Sequence, residues 1–145
     1  MTSATTTDVL NRVYAIHNRS FPTYLHDAKP WAVRGDEEAK ELLKQIALSQ
    51  HEMRDRLAEA ILENGGDVHP GEFPMDYTFY HDLSYDFIVQ KVTEYQRRDI
   101  TVLEQAASEL NLAPMAKALV EESLGMAKGN LDSLLELTRQ NSGAS

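Results

Sequence analysis

Five polar side chains stand near the middle of segments whose apolar residues recur at helical spacing, and they fall on the apolar stripes: His17, Gln50, Tyr95, Asp99 and Asn130. An inward carboxylate opposite an inward imidazole has three uses. It can be a buried polar pair that sets helix register, an acid–base couple facing a small pocket, or part of a metal site. A two-metal centre in a helical bundle takes four carboxylates and two histidines, with Glu-x-x-His on two of the helices, because i and i+3 project to one face. The residues three before His17, His26, His51, His69 and His81 are Tyr14, Thr23, Leu48, Gly66 and Thr78, so none is acidic. At about 100° per residue, Gln50 and Met53 occupy the inward i, i+3 positions of the second helix, and His51 and Glu52 point away. On the last helix Ser123, Ala127 and Asn130 face inward, while Glu121 points out and Glu122 lies at the edge. The centre thus holds one carboxylate and one imidazole, too little charge for two cations. No catalytic residue and no metal are expected. The alternative is iron or manganese held by His17 and Asp99.

The remaining candidates are weaker. His69 and His81 flank Glu72, Asp76 and Asp82, a set that could hold a metal at one bundle end, although His81-Asp82-Leu83-Ser84 reads more simply as a helix start. Met53 and Met126 read as core filler. There is no Gly-rich phosphate loop and no nucleophile-elbow spacing.

Four helical segments position these residues. The first spans about 7–27 and carries Val9, Val13, His17, Ser20 and Tyr24 on one stripe, with Pro22 predicting a kink or break near Ser20. The second spans about 36–64, from the acidic start Asp36-Glu37-Glu38 to the stop Asn64-Gly65-Gly66, with Leu42, Ile46, Gln50, Met53, Leu57 and Ile61 in phase. The third spans about 83–110, capped by Asp82 or Ser84, its expected inward face including Ile88, Val92, Tyr95, Asp99, Leu103 and Ala106. The fourth spans about 114–139, opened by Pro114 and carrying Val120, Ser123, Ala127, Leu131 and Leu134. Short connections join the first to the second and the third to the fourth, so each pair is expected to be an antiparallel hairpin. The stretch Asp67 to His81 is long enough to cross the bundle lengthwise, and Phe73, Tyr77, Phe79 and Tyr80 suggest that it packs.

Composition bounds the rest. The chain has 145 residues, 42% hydrophobic and 26% charged, which suits one globular domain over 1–145. The absence of cysteine excludes disulfides and thiolate chemistry and fits a cytoplasmic protein. Met1 to Thr7 lacks a basic-then-apolar pattern, so no secretory signal is expected, and no apolar run reaches the roughly 20 residues that span a bilayer. A net charge of −9 argues against nucleic acid and anionic lipid as partners.

Two hairpins with one long crossover, together with several short stretches, resemble the ferritin-like superfamily. Thr23-Tyr24-Leu25-His26 and Leu57 to Gly65 are similar to parts of the first and second helices of bacterioferritins, and Val120-Glu121-Glu122 to the start of a fourth-helix motif. The segments Tyr14 to Ser20 and Tyr95 to Ile100 resemble a small bacterial ferritin-like subfamily of unassigned function. The resemblance implies an all-α ferritin-like antiparallel four-helix bundle over about residues 7–139, with the crossover between its second and third helices. Because the di-iron ligands are missing, the expected protein is a non-catalytic bundle that acts through association or small-ligand binding. A metal-binding oxidoreductase or iron-handling protein with an atypical centre is the alternative. A structural homodimer is the third reading, since Leu124 and Leu135 widen the apolar arc of the last helix.

Overall fold

The computed structural model describes the backbone of residues 2–28, 37–70 and 85–143, and the side chains of 6–24, 37–70 and 87–140. Within these residues the chain is all helix: α1 Thr2–Asn18, α2 Phe21–Ala28, α3 Glu37–Glu63, α4 Tyr85–Ser108 and α5 Pro114–Gly143. The first expected helix is therefore two. The break falls at Arg19 and Ser20, where Pro22 placed it: Ser20 becomes the N-cap of α2, its Oγ accepting the Thr23 amide at 3.1 Å. Pro22 then sits in the first turn of α2, where a missing N–H costs no helical bond. α1 also begins earlier than its apolar pattern predicts. Thr6 and Thr7 are buried, and a threonine-rich turn gives no hydrophobic signal. Thr7 packs so closely on Gly66 that a Cβ there would lie 2.7 Å from the threonine Cβ.

α3 ends as expected. Gly65, with φ of 80°, adopts the left-handed conformation that favours glycine. The Gly66 amide donates to the Ile61 carbonyl and the Gly65 amide to Leu62, both at 3.0 Å, which is a Schellman closure. The chain leaving it is tied to α1: Asn11 donates to the Asp67 carbonyl and accepts the His69 amide, and Asn18 donates to the Pro70 carbonyl, each at 2.8 Å. Most of the expected aromatic crossing segment lies outside the described residues, as do Glu72, Asp76, His81 and Asp82 of the loop metal candidate.

The core divides into two hydrophobic clusters. One joins Val9 to Tyr14 of α1, Met53 to Ile61 of α3, Leu103 to Leu110 at the end of α4, and Ala116 to Ala127 of α5. The other joins Phe21 of α2, Ala39 to Ile46 of α3, Ile88 to Val92 of α4, and Leu134 and Leu137 of α5. These memberships set the directions. α1 and α5 run from the first cluster toward the second, and α3 and α4 run from the second toward the first. Leu57, Ile61, Leu103 and Val120 of the first cluster are fully buried, and removing one such side chain typically costs about 2–5 kcal/mol. Between α4 and α5, a turn pinned by a 2.6 Å bond from Lys117 Nζ to Asn111 Oδ1 precedes Pro114. No described helix is long and apolar enough to cross a membrane.

Candidate functional site

The two clusters meet at a buried polar layer, and its members come from every long helix: His17 of α1, Ser20 at the α1–α2 break, Thr23 of α2, Gln50 of α3, Gln96 of α4 and Ser123 of α5. Two short hydrogen bonds organise it. His17 Nε2 lies 2.5 Å from Ser123 Oγ, and Ser20 Oγ lies 2.5 Å from Gln50 Oε1. The Thr23 hydroxyl donates to the His17 carbonyl at 3.0 Å, closing the chain break onto the end of α1. Ser20 is thus bonded at once to the first turn of α2 and to the middle of α3, which sets the rotation of both.

His17 is 1% exposed, and burial lowers its pKa to about 4, so the ring is neutral at pH 7. The Ser123 hydroxyl has no other acceptor among the described residues, so the arrangement that strands fewest groups has Ser123 donating to Nε2 and the ring proton on Nδ1. Nδ1 itself has no hydrogen-bond partner among the described residues, and neither has Asn130 Nδ2. The expected contact between His17 and Asp99 is absent, because the imidazole is turned to α5 instead.

Asp99 and Tyr95 lie elsewhere. They line a cleft of about 210 Å³ between α4 and the α1–α2 break. The buried stripe of α4 runs Ile88, Val92, Gln96, Leu103, Ala106. Gln96 therefore faces the core, and Tyr95 and Asp99, which periodicity had placed on that face, are only half-buried. A polar residue in mid-stripe gives no hydrophobic signal, so Gln96 was not legible as an inward position. Burial raises the Asp99 carboxyl to about 7, opposed by the nearby Arg98 guanidinium, which itself sits 5.4 Å from the Tyr95 ring centroid. The carboxyl makes no hydrogen bond or ion pair with a described residue. Tyr95 meets Phe21 edge-on at 6.1 Å, forming an aromatic corner of the cleft.

Of the sequence candidates, the structure brings together His17 and Gln50 in the layer and Tyr95 and Asp99 at the cleft. Asn130 is half-buried, two helical turns beyond Ser123. Thr23 and Gln96 join the site without having been singled out, although Ser20-Phe21-Pro22-Thr23 carries a readable capping pattern. Among the described residues no three of His, Asp and Glu converge where they could hold a metal ion. No family model, curated protein or solved structure matches the chain.

Proposed function

We propose that this protein is a ferritin-like four-helix bundle without the usual di-metal centre, a non-catalytic protein that works by binding a small ligand in the cleft beside its polar layer. In this reading α1 and α2 together form the first bundle helix. The common direction of α3 and α4 supports a connection that returns along the bundle between them, which is the ferritin-like crossover. The observation that carries the ligand reading is the cleft itself. It places the Asp99 carboxyl, which hydrogen-bonds no described residue, and the buried Gln96 amide among apolar and aromatic walls, the composition expected of a recognition site. Its 210 Å³ is below the roughly 300 Å³ at which drug-sized sites begin, so the ligand is small.

The test is a fragment screen followed by amide chemical shifts in ¹⁵N-labelled protein. A binder should perturb residues 15–22 and 92–99 and leave residues 53–61 unmoved. Fragment hits that cluster elsewhere, or none at millimolar concentration, would sink the reading. Elemental analysis after growth with iron and manganese addresses the alternative: near-stoichiometric metal lost on replacing His17 and Asp99 would favour a metalloprotein.

Self-association is a second reading, favoured by one bundle end. There Leu62, Leu112 and Met115 are 62%, 83% and 86% exposed, beside a groove of about 600 Å³ between the end of α3 and the start of α5. A second copy of this chain is the occupant, and light scattering across concentrations decides it.

A further inference from the structure

We infer that the cleft recognises a small organic ammonium ion, with Asp99 and Gln96 as its two acceptors and the aromatic corner as the seat of its apolar body. The inference rests on the ligand-binding reading above and names the chemical class. Gln96 and Asp99 are three residues apart on α4, and both line the cleft. Gln96 is 2% exposed, lines the cleft, and makes no side-chain hydrogen bond to a described residue. Neither side chain hydrogen-bonds a described residue, and together they offer a carboxylate and a carbonyl at the cleft to one group with several N–H donors. An ammonium ion fits that demand. Ile16, Phe21, Pro22, Val92 and the Tyr95 ring form the remaining wall, which favours an amine carrying a hydrocarbon or aromatic body. The protein's net charge of −9 draws cations toward it.

The charged and titratable groups around Asp99 are few. Among the described residues, Arg98 and Tyr95 share α4 with it, and Arg19 of the α1–α2 break lies exposed on the cleft lining. α2 contributes only Phe21 and Pro22 to the cleft, and α3 and α5 contribute nothing. His17 is neutral above about pH 4 and adds no competing charge. Among the described residues the ligand's cation therefore meets one carboxylate, opposed by the Arg98 and Arg19 guanidinium groups, and its affinity should follow the ionisation of Asp99. Simple alkylamines stay protonated well past neutrality, as the lysine value of about 10.4 shows.

Calorimetric titration with benzylamine, butylamine, benzyl alcohol and benzoate tests this. Benzylamine should bind saturably at pH 8 and about 30-fold more weakly at pH 5.5, the ratio set by a carboxyl titrating near 7. Asp99→Asn should abolish the binding and its pH dependence while keeping a cooperative unfolding transition. Gln96→Leu should weaken binding several-fold and leave the pH profile in place. Saturable binding of benzyl alcohol or benzoate without the amines would overturn the ammonium assignment and keep the cleft as a ligand site. Equal amine binding at the two pH values would also overturn the assignment. If no probe binds, both readings fail.

Discussion

The polar layer and the neighbouring cleft share the α1–α2 break and Gln96 of α4, yet their polar groups end in different conditions. In the layer, three hydroxyls are engaged: Ser123 takes the imidazole, Ser20 takes Gln50, and Thr23 takes the carbonyl of His17. At the cleft, the Asp99 carboxyl and the Gln96 amide meet largely apolar walls and hydrogen-bond no described residue. Burial shifts both titratable groups toward their neutral forms, His17 down and Asp99 up. The contrast separates a part of the core tied together by side-chain hydrogen bonds, with His17 Nδ1 left over, from one whose polar groups bond no described residue. A hydrogen-bonded buried network specifies helix rotation, and polar groups left open at a cleft make a recognition surface.

The largest expected effect comes from breaking the hydrogen-bonded region. His17→Ala should lose about 3 kcal/mol in urea unfolding, through a cavity and the stranded Ser123 hydroxyl. Asp99→Ala should lose nothing at pH 7, since it strands no partner among the described residues and removes a carboxylate that burial disfavours. Equal losses from the two would erase the distinction.

The pH dependences sharpen it. The folded state resists protonating His17, so this group's contribution is whole above pH 6.5 and falls away by up to about 3 kcal/mol as the pH drops to about 4. Asp99 acts with the opposite sign. Its raised pKa adds stability below 3.8 that is lost as the pH rises to about 7. The two slopes therefore oppose each other between about pH 4 and 6.5. Asp99→Asn should raise stability at pH 8 by about 2 kcal/mol, discounted for partial exposure, and expose the acid-side slope of His17 in a series of denaturation midpoints. An unchanged profile would place Asp99 in water.

Smaller still, Ser20→Ala should cost about 1 kcal/mol by removing the α2 cap, with Gln50 losing its partner as well. Chemical shifts should then change on both α2 and α3. The exposed, two-pronged Arg56 to Glu122 pair, at 2.6 and 2.8 Å, belongs to neither region, and Glu122→Gln should leave the unfolding midpoint where it is.

Particular residues show what could be read in the chain. Pro22 announced the break, and Asn64-Gly65-Gly66 announced the end of α3, because both act through local backbone geometry. Gln50 was legible as inward because Ile46, Met53 and Leu57 surround it in phase, and all are buried. On α4 the same method placed Tyr95 and Asp99 inward and passed over Gln96, since the stripe is interrupted there by a polar side chain and the competing faces differ by only about 100°. The start of α1 carries no apolar signal, because Thr7 is held by packing against Gly66 just past the end of α3, a contact distant in sequence. The partner of His17 was misplaced for the same kind of reason. Ser123 is 106 residues away, and its small hydroxyl carries no periodic signal of its own.

By itself, then, the sequence determined the helical class, the helix ends marked by proline and glycine, the polar character of mid-bundle positions, and the absence of the Glu-x-x-His pairs. Each is a property of a few consecutive residues or of a 3.6-residue period. Only the tertiary structure decided which polar groups meet. It alone set His17 on Ser123, Ser20 on Gln50, and Asp99 with Gln96 beside an aromatic corner. Those pairings depend on how each helix is rotated about its own axis, and that rotation is chosen by side chains packing from four directions at once.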